Sequence, residues 1–150
     1  MILNYTTKID ADKTAQEIAK CLSSHGAKAV LTEYDEKEGL VKSISFKIKF
    51  GDKEMGFRLP CDWKPVYDIM AKDKKFTWGD RGEKQKSDLR LQSVRTSWRI
   101  VKDWVEAQMA LVETSMVTTE DVFLPYLIMQ DGKTLSESVK LNPQFLLGNK

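Results

Sequence analysis

Basic and aromatic side chains concentrate in one part of this sequence, between residues 62 and 102. That stretch holds eleven Lys or Arg residues against six Asp or Glu residues, an excess of +5, whereas the whole chain carries only +2. An exposed aromatic ring can stack on a nucleic-acid base while neighbouring cations contact phosphates. The side chains of this stretch that best fit such a role are Lys74, Lys75, Phe76, Trp78 and Arg81. A solvated loop whose aromatic rings fold inward is the alternative that this pattern leaves open.

A second basic group follows on a predicted helix. Arg95 and Arg99 lie about one helical turn apart, with Lys102 in the same polar strip. Two arginines so placed can clamp a phosphate or a carboxylate. Alternatively, acids of the strip neutralise them, because Arg99/Asp103 and Lys102/Glu106 have the i,i+4 spacing of ion pairs. The complete set of residues predicted to bind nucleic acid or another anionic ligand is Lys74, Lys75, Trp78, Arg81, Arg95, Arg99 and Lys102.

Signatures of catalysis are nearly absent from the sequence. It contains no H-E-x-x-H, C-x-x-C, P-loop, G-x-G-x-x-G or G-x-S-x-G motif. The one histidine, His25, precedes Gly26 at an expected helix end, where a cation suits the helix dipole. Cys21 and Cys61 fit no metal spacing and are expected to be buried free thiols. We therefore predict no catalytic residue, no metal and no cofactor, with carboxylate catalysis left open because it needs no motif.

A helix predicted over residues 87–116 must position the second basic group. The run contains no Gly or Pro, and Ser87 is a suitable N-cap. Two apolar stripes, one with Trp98 and the other with Trp104, cover more than half of its circumference, whereas a surface helix needs only about a 100° arc. The helix is therefore central, or it is covered on one side by a second chain. We predict a homo-oligomer, because aromatic residues are enriched at subunit interfaces. The predicted interface residues are Trp104, Ile100 and Leu111.

The remaining sequence predicts a small sheet and shorter helices. In order, the predicted segments are an edge strand at 1–8, a helix ending near Ser24, strands at 27–34, 40–50 and 54–59, a helix at 63–72, an exposed loop at 73–86, and helices after Thr118 and at 134–140. The predicted fold class is α+β, an antiparallel meander of three or four strands with helices on one face and one long central helix. The 150 residues are expected to form one domain, with a helix and the meander in 1–60 and a helical part in 61–150.

Three runs of the sequence resemble a family of small proteins encoded in phages and prophages, mostly of Gram-positive bacteria. The runs are WRIVKDWVEAQMA at 98–110, VFLPY at 122–126 and FRLP at 57–60. The resemblance covers most of the chain and brings no residue roles with it. It implies an origin in a mobile element and a place in the host cytoplasm, where such proteins serve DNA replication or recombination or counteract host defence.

Two functions fit these observations. The first is a non-catalytic phage accessory protein that binds nucleic acid, as single-stranded or structured DNA, in phage DNA replication or recombination. The alternative is an anti-defence protein that inhibits a host immune protein or sequesters a nucleotide immune signal between subunits. No apolar run reaches the length of about 18 residues that a membrane span needs, and no signal-peptide pattern opens the chain, so we expect a cytoplasmic protein without membrane contact.

Overall fold

A three-stranded antiparallel sheet packs with one face against helices, and the longest helix runs through the middle of the fold. The computed structural model of the chain describes residues 2–146 and residue 148. The elements are α1 (Ala11–Ser24), β1 (Ala29–Tyr34), β2 (Val41–Phe50), β3 (Lys53–Arg58), α2 (Trp63–Ala71), α3 (Asp80–Glu113), α4 (Thr119–Phe123) and α5 (Leu135–Leu141). The predicted α+β class, with an antiparallel meander and one long central helix, is confirmed.

The sheet has the order β1–β2–β3 and one apolar face. Ile44, Phe46 and Ile48 of β2 are buried on that face, because alternate side chains of a strand point to the same side. Phe46 lies opposite Phe57 of β3, and their stacked rings have centroids 5.2 Å apart. The ring of Phe123 from α4 meets Phe46 edge-on at 5.1 Å. These three rings form an aromatic cluster within the core.

The other side of the core comes mainly from α3. Its 34 residues extend about 51 Å. The residues of its first apolar stripe that are buried are Val94, Trp98, Val101, Val105 and Met109. Trp98 is nearly inaccessible, and its indole Nε1 donates a hydrogen bond to the Val41 carbonyl oxygen at 3.2 Å. The buried indole N–H is therefore satisfied, which joins α3 to the start of β2.

The second apolar stripe of α3 is covered in its middle by the chain itself. The half-buried Trp104 ring meets Phe123 edge-on at 5.5 Å and Tyr126, on the 3-10 turn after α4, at 5.6 Å. Ile100 and Leu111, on either side of Trp104 along the stripe, are also half-buried. The subunit interface predicted at these three residues of α3 stays a prediction.

The long helix begins at Asp80 instead of Ser87, so the loop predicted over residues 73–86 was partly wrong. The first two turns of α3 are mostly exposed, so no apolar period marks them in the sequence. Asp80 and Glu83 nevertheless suit the positive end of the helix dipole. Glu83 also forms an i,i+3 ion pair with Lys86, with 3.8 Å between the charged atoms.

The end of α3 also differs from the prediction. The helix stops at Glu113 rather than Met116. Its continuation is interrupted at Ser115, whose φ of 63° lies in the left-handed region. Neither α3 nor any other helix of the described residues has the length and hydropathy to cross a membrane.

The N-terminal segment forms no strand in residues 2–8, and the edge strand predicted there was wrong; Met1 lies outside the described residues. Asn4 has a φ of 64°, which produces a turn. The carbonyl oxygen of Asn4 accepts a hydrogen bond from Thr96 Oγ1 at 3.2 Å, and Gln92 donates to the same segment. Side chains of α3 thus provide the hydrogen bonds that a sheet was expected to provide.

The outer edge of β3 is covered by the chain after α4. The backbone N–H of Ile128 donates to the Gly56 carbonyl oxygen at 2.8 Å, and Leu127 forms an isolated bridge with Phe57. The prediction allowed three or four strands. Within the described residues the sheet has three, and this short contact lies along the edge where a fourth strand would pair.

Candidate nucleic-acid interface

Three of the predicted binding residues face α1. Arg95 Nη2 donates to Asp10 Oδ1 at 2.9 Å, and Arg99 Nη1 donates to Glu17 Oε2 at 2.6 Å. Lys102 Nζ lies 3.8 Å from the same Glu17 oxygen. The side chains of Arg99 and Lys102 are only 14% and 13% exposed. Acids of the chain neutralise these cations, which therefore belong to the contact between α1 and α3.

Of the two i,i+4 ion pairs predicted along α3, one forms. Lys102 Nζ lies 2.6 Å from Glu106 Oε1, which confirms that pair. Arg99 pairs with α1 instead, and Asp103 accepts a hydrogen bond from Asn4 Nδ2 at 2.9 Å. The pairing between helices is favoured because charges attract more strongly where less water surrounds them.

The positive excess of residues 62–102 is partly neutralised by acids outside that stretch. Arg90 pairs with Glu38 in the loop between β1 and β2, as Arg95 pairs with Asp10. The basic residues of the stretch that form no ion pair within residues 2–146 are Lys64, Lys72, Lys74, Lys75, Arg81 and Lys84. These cations lie on α2, the loop at 72–79 and the first turns of α3, where residues 62–88 carry seven Lys or Arg against six Asp or Glu, a net charge of only +1.

Trp78 lies on that loop and is 99% exposed. The inward-folded alternative is wrong for this ring, although it holds in part for Phe76. Phe76 is half-buried, and Lys86 Nζ lies 5.8 Å from the centroid of its ring. In the sequence, the exposed cations nearest to Trp78 among the predicted residues are Lys74, Lys75 and Arg81.

Hydrogen bonding and close packing fix the loop to the start of α3. The backbone N–H of Thr77 donates to Gln85 Oε1 at 3.0 Å. Gly82 is buried beneath the loop, and a Cβ atom at this position would lie 1.7 Å from the Thr77 carbonyl oxygen. Only glycine permits this approach. The loop is therefore fixed to the start of α3 on both counts.

A cavity of about 790 Å³ opens beside the loop. It lies between the N-terminal segment, the end of α2, the loop and α3. Its lining residues are Ile2, Tyr5, Ile69, Met70, Asp73, Lys74, Lys75, Phe76, Gln85, Asp88, Leu89 and Gln92. The cavity thus combines apolar and aromatic side chains with two of the predicted cations, and its volume is in the usual range of ligand sites.

The thiols have environments that oppose their ionisation. Burial raises the pKa of Cys61 to about 12, and burial likewise raises the pKa of Cys21. Both side chains are therefore protonated and weakly nucleophilic at neutral pH. Within residues 2–146, no three His, Cys, Asp or Glu side chains lie together as ligands for a metal ion.

No protein-family model, curated protein or solved structure matches this chain. Its function is therefore inferred from this surface.

The sequence prediction missed the polar residues that line the cavity. Gln85, Asp88 and Gln92 have the i, i+3, i+7 spacing of one helix face, so they were detectable in principle. The sequence predicted that the helix begins at Ser87, which put Gln85 in the loop. The helix face that Gln85 shares with Asp88 and Gln92 was therefore missed. Tyr5 and Ile69 could not be assigned to the cavity at all, because they come from distant parts of the chain.

Proposed function

We propose that the protein binds single-stranded DNA through Trp78 and the cations around it. The observation that carries this proposal is the nearly complete exposure of an indole on a fixed loop. Stacking of a base on an aromatic side chain contributes about 1–3 kcal/mol and tolerates any sequence, because every base has a π-face. The exposed ring thus provides the main contact to a base.

The phosphates of the strand are bound by the cations that no acid of the described residues neutralises. Lys74, Lys75 and Arg81 supply three such charges within four residues of Trp78 in the sequence. Each phosphate neutralised on a single strand contributes about 0.7 to the slope of log affinity against log salt, so three contacts predict a slope of about −2. Arg95, Arg99 and Lys102 are paired with α1 and serve the fold in this proposal.

The cellular setting of the proposal follows from the resemblance to phage and prophage proteins. Single-stranded DNA is exposed during replication and recombination, and a small accessory protein would bind it there. The binding needs no catalytic residue, metal or cofactor.

The experiment is fluorescence anisotropy of a labelled oligothymidylate with the purified chain at low and at physiological salt. We expect binding that weakens as salt rises, with a slope of about −2 in log affinity against log salt. Combined replacement of Trp78→Ala and Arg81→Ala should weaken it at least about tenfold, because a stacking partner and a phosphate contact are both lost. Phe50→Ala with Lys49→Ala is the matched control, since it removes an exposed ring and an exposed cation at the β2–β3 turn.

The cavity favours a second candidate, the anti-defence protein. The apolar walls of the cavity, with Lys74 and Lys75 beside them, suit a nucleotide signal. The exposed side chains of Ile69 and Trp78 suit contact with a host protein. A folded chain that binds no oligothymidylate even at low salt would overturn the DNA proposal. Stoichiometric binding of a nucleotide or an immune protein that survives physiological salt would then support the second candidate.

A further inference from the structure

Phe76 and Trp78 lie close together on the loop at 72–79 but have different surroundings. Phe76 is half-buried and lines the cavity, whereas the ring of Trp78 is 99% exposed and lies outside it. Lys86 Nζ lies over the Phe76 ring, 5.8 Å from its centroid, but Lys86 does not line the cavity, so the part of the ring that does is free of this cation. The loop therefore presents one aromatic surface to solvent and a second one to the cavity.

The cavity walls around Phe76 are mainly apolar. The ring of Tyr5, the side chains of Ile69 and Met70 on α2, and the buried Leu89 of α3 contribute to them. The volume of about 790 Å³ lies within the range of about 300–1,000 Å³ that is usual for pockets of small organic ligands. An aromatic heterocycle can thus enter the cavity and bury its faces against these walls.

The charges along the walls favour an uncharged group inside the cavity. Asp73 and Asp88 balance Lys74 and Lys75, so the charged lining residues sum to zero. A phosphate held inside would gain no net attraction from them and would lose its hydration. A nucleobase is uncharged at neutral pH, and the phosphates of its strand can remain outside with the exposed side chains of Lys74 and Lys75.

The two amides of the cavity wall suit a base of any type. Gln85 Oε1 accepts from the Thr77 backbone N–H at 3.0 Å, so the two N–H groups of Gln85 are left as donors. Gln92 Nε2 donates to the Tyr5 carbonyl oxygen at 3.1 Å, so the carbonyl oxygen of Gln92 is left as an acceptor. The two amides are about 10.5 Å apart along the axis of α3, so a single base reaches only one of them. Every base carries both donors and acceptors, so either amide can be satisfied without selecting a sequence.

Neighbouring nucleotides of one strand can reach both rings of the loop. Phe76 and Trp78 are separated by one residue, so their Cα atoms are at most about 7 Å apart. Successive bases of a strand are about 3.4 Å apart along its axis when they are stacked, and this distance widens when the bases separate. A strand whose base stacks on Trp78 can therefore place the next base in the cavity.

We propose that the cavity binds the base of the nucleotide next to the one that stacks on Trp78. This inference rests on the proposed DNA binding and extends it from one base to two. One base lies on the exposed indole and its neighbour lies against Phe76, and neither site selects a sequence.

The test uses short labelled strands of abasic deoxyribose that carry one thymine, two adjacent thymines or two thymines several sugars apart. The three strands have the same phosphates, so the salt-dependent contribution to affinity cancels between them. Two adjacent thymines should bind at least about fivefold more tightly than one, because a second base is stacked. Two distant thymines should gain less, down to a statistical factor of about two, because a longer linker lowers the effective concentration of the second base.

Phe76→Leu is the decisive variant, because it keeps an apolar side chain in the loop but removes the flat π-face. It should reduce the gain from the adjacent thymine to about twofold, while the affinity for one thymine changes by no more than about twofold, since Trp78 still binds that base. Phe76→Tyr retains the ring and should retain the gain. Phe50→Leu, which removes an exposed ring at the β2–β3 turn, is the matched control and should also retain it. Circular dichroism and limited proteolysis verify that the variants and their loops are folded.

The outcomes separate this inference from the proposed function. If oligothymidylate binds but an adjacent thymine adds no more than a distant one, the cavity inference is overturned and DNA binding stands. The same holds if the gain from the adjacent thymine survives in Phe76→Leu. If the folded protein binds no oligothymidylate even at low salt, the proposed function is overturned and this inference with it.

Discussion

At the scale of single residues, His25 connects the ends of two helices. Its Nδ1 lies 2.7 Å from the Cys21 carbonyl oxygen and its Nε2 lies 2.5 Å from Glu113 Oε1. The hydrogen bond to the Cys21 carbonyl, followed by that to Glu113, raises the pKa of His25 above its ordinary value of 6.5. Asp10 at the start of α1 pairs with Arg95, and His25 at its end pairs with Glu113, so α1 and α3 run in the same direction.

The raised pKa of His25 predicts a pH-dependent stability. Protonated His25 binds both acceptors, so its stabilisation is fully present below pH 6.5, the ordinary value. It is lost as the pH rises through the higher pKa of the folded state. His25→Gln should therefore reduce the free energy of unfolding most at acidic pH and least at alkaline pH, measured by urea denaturation across that range.

Glu113→Gln supplies the control for this effect. It leaves the histidine and its bond to the Cys21 carbonyl in place but removes the charge that attracts the imidazolium. Part of the pH dependence should disappear, and the double variant should add little beyond His25→Gln. A deficit in His25→Gln that is equal at all pH values would contradict the assigned protonation.

At the scale of elements, the two halves of α3 show how far the sequence could predict this fold. The apolar stripe containing Trp98 repeats over several turns because it faces the core, and it predicted the helix and its burial correctly. The first turns have no such stripe, since they extend beyond the core into solvent. The partners of Arg95 and Arg99 were also not predictable, because Asp10 and Glu17 lie far away in the sequence.

Gly82 provides a test of how the loop and α3 fit together. Intrinsic propensity alone predicts that Gly82→Ala stabilises a helix by about 1 kcal/mol. The structure predicts the opposite, because the new Cβ atom would collide with the Thr77 carbonyl group and displace the loop. We expect a lower melting temperature, faster proteolysis within residues 72–79 and weaker DNA binding.

Ser87→Ala is the matched control for that prediction. Ser87 is exposed in the same helix, so the change alters propensity without touching the loop. It should leave proteolysis and DNA affinity unchanged. An equal rise in melting temperature for Gly82→Ala and Ser87→Ala would show that the loop does not pack on Gly82 as described.

At the scale of the whole molecule, paired cations lie between α1 and α3, and unpaired cations lie on the segment that contains Trp78. Arg95, Arg99 and Lys102 of α3 pair with Asp10 and Glu17, whereas Lys74, Lys75 and Arg81 form no ion pair within residues 2–146. Residues 62–88 as a whole carry seven Lys or Arg against six Asp or Glu, so this segment presents charges of both signs. Binding of a polyanion at the Trp78 side would leave the α1 side and the far end of α3 free of it.

The second stripe of α3 has two available roles, which are packing within its own chain and contact with a second chain. Variants that separate these roles test the predicted homo-oligomer. Trp104 contacts Phe123 and Tyr126 of its own chain, so Trp104→Ala should lower the free energy of unfolding by about 2–3 kcal/mol. Ile100 and Leu111 are half-buried and remain the residues available to a second chain. Aspartate at both positions should convert an oligomer to a monomer, measured by light scattering.

Aspartate at two exposed alanines of the same helix, Ala107 and Ala110, provides the comparison. If the stripe forms the interface, Ala107→Asp should also weaken the oligomer, because residue 107 lies near residues 100 and 111 on one helix face, whereas Ala110→Asp should not. An unmodified chain that is monomeric at micromolar concentration would contradict the oligomer prediction. In that case a single chain would bury its own central helix, and the contacts of Trp104 with Phe123 and Tyr126 would complete that burial.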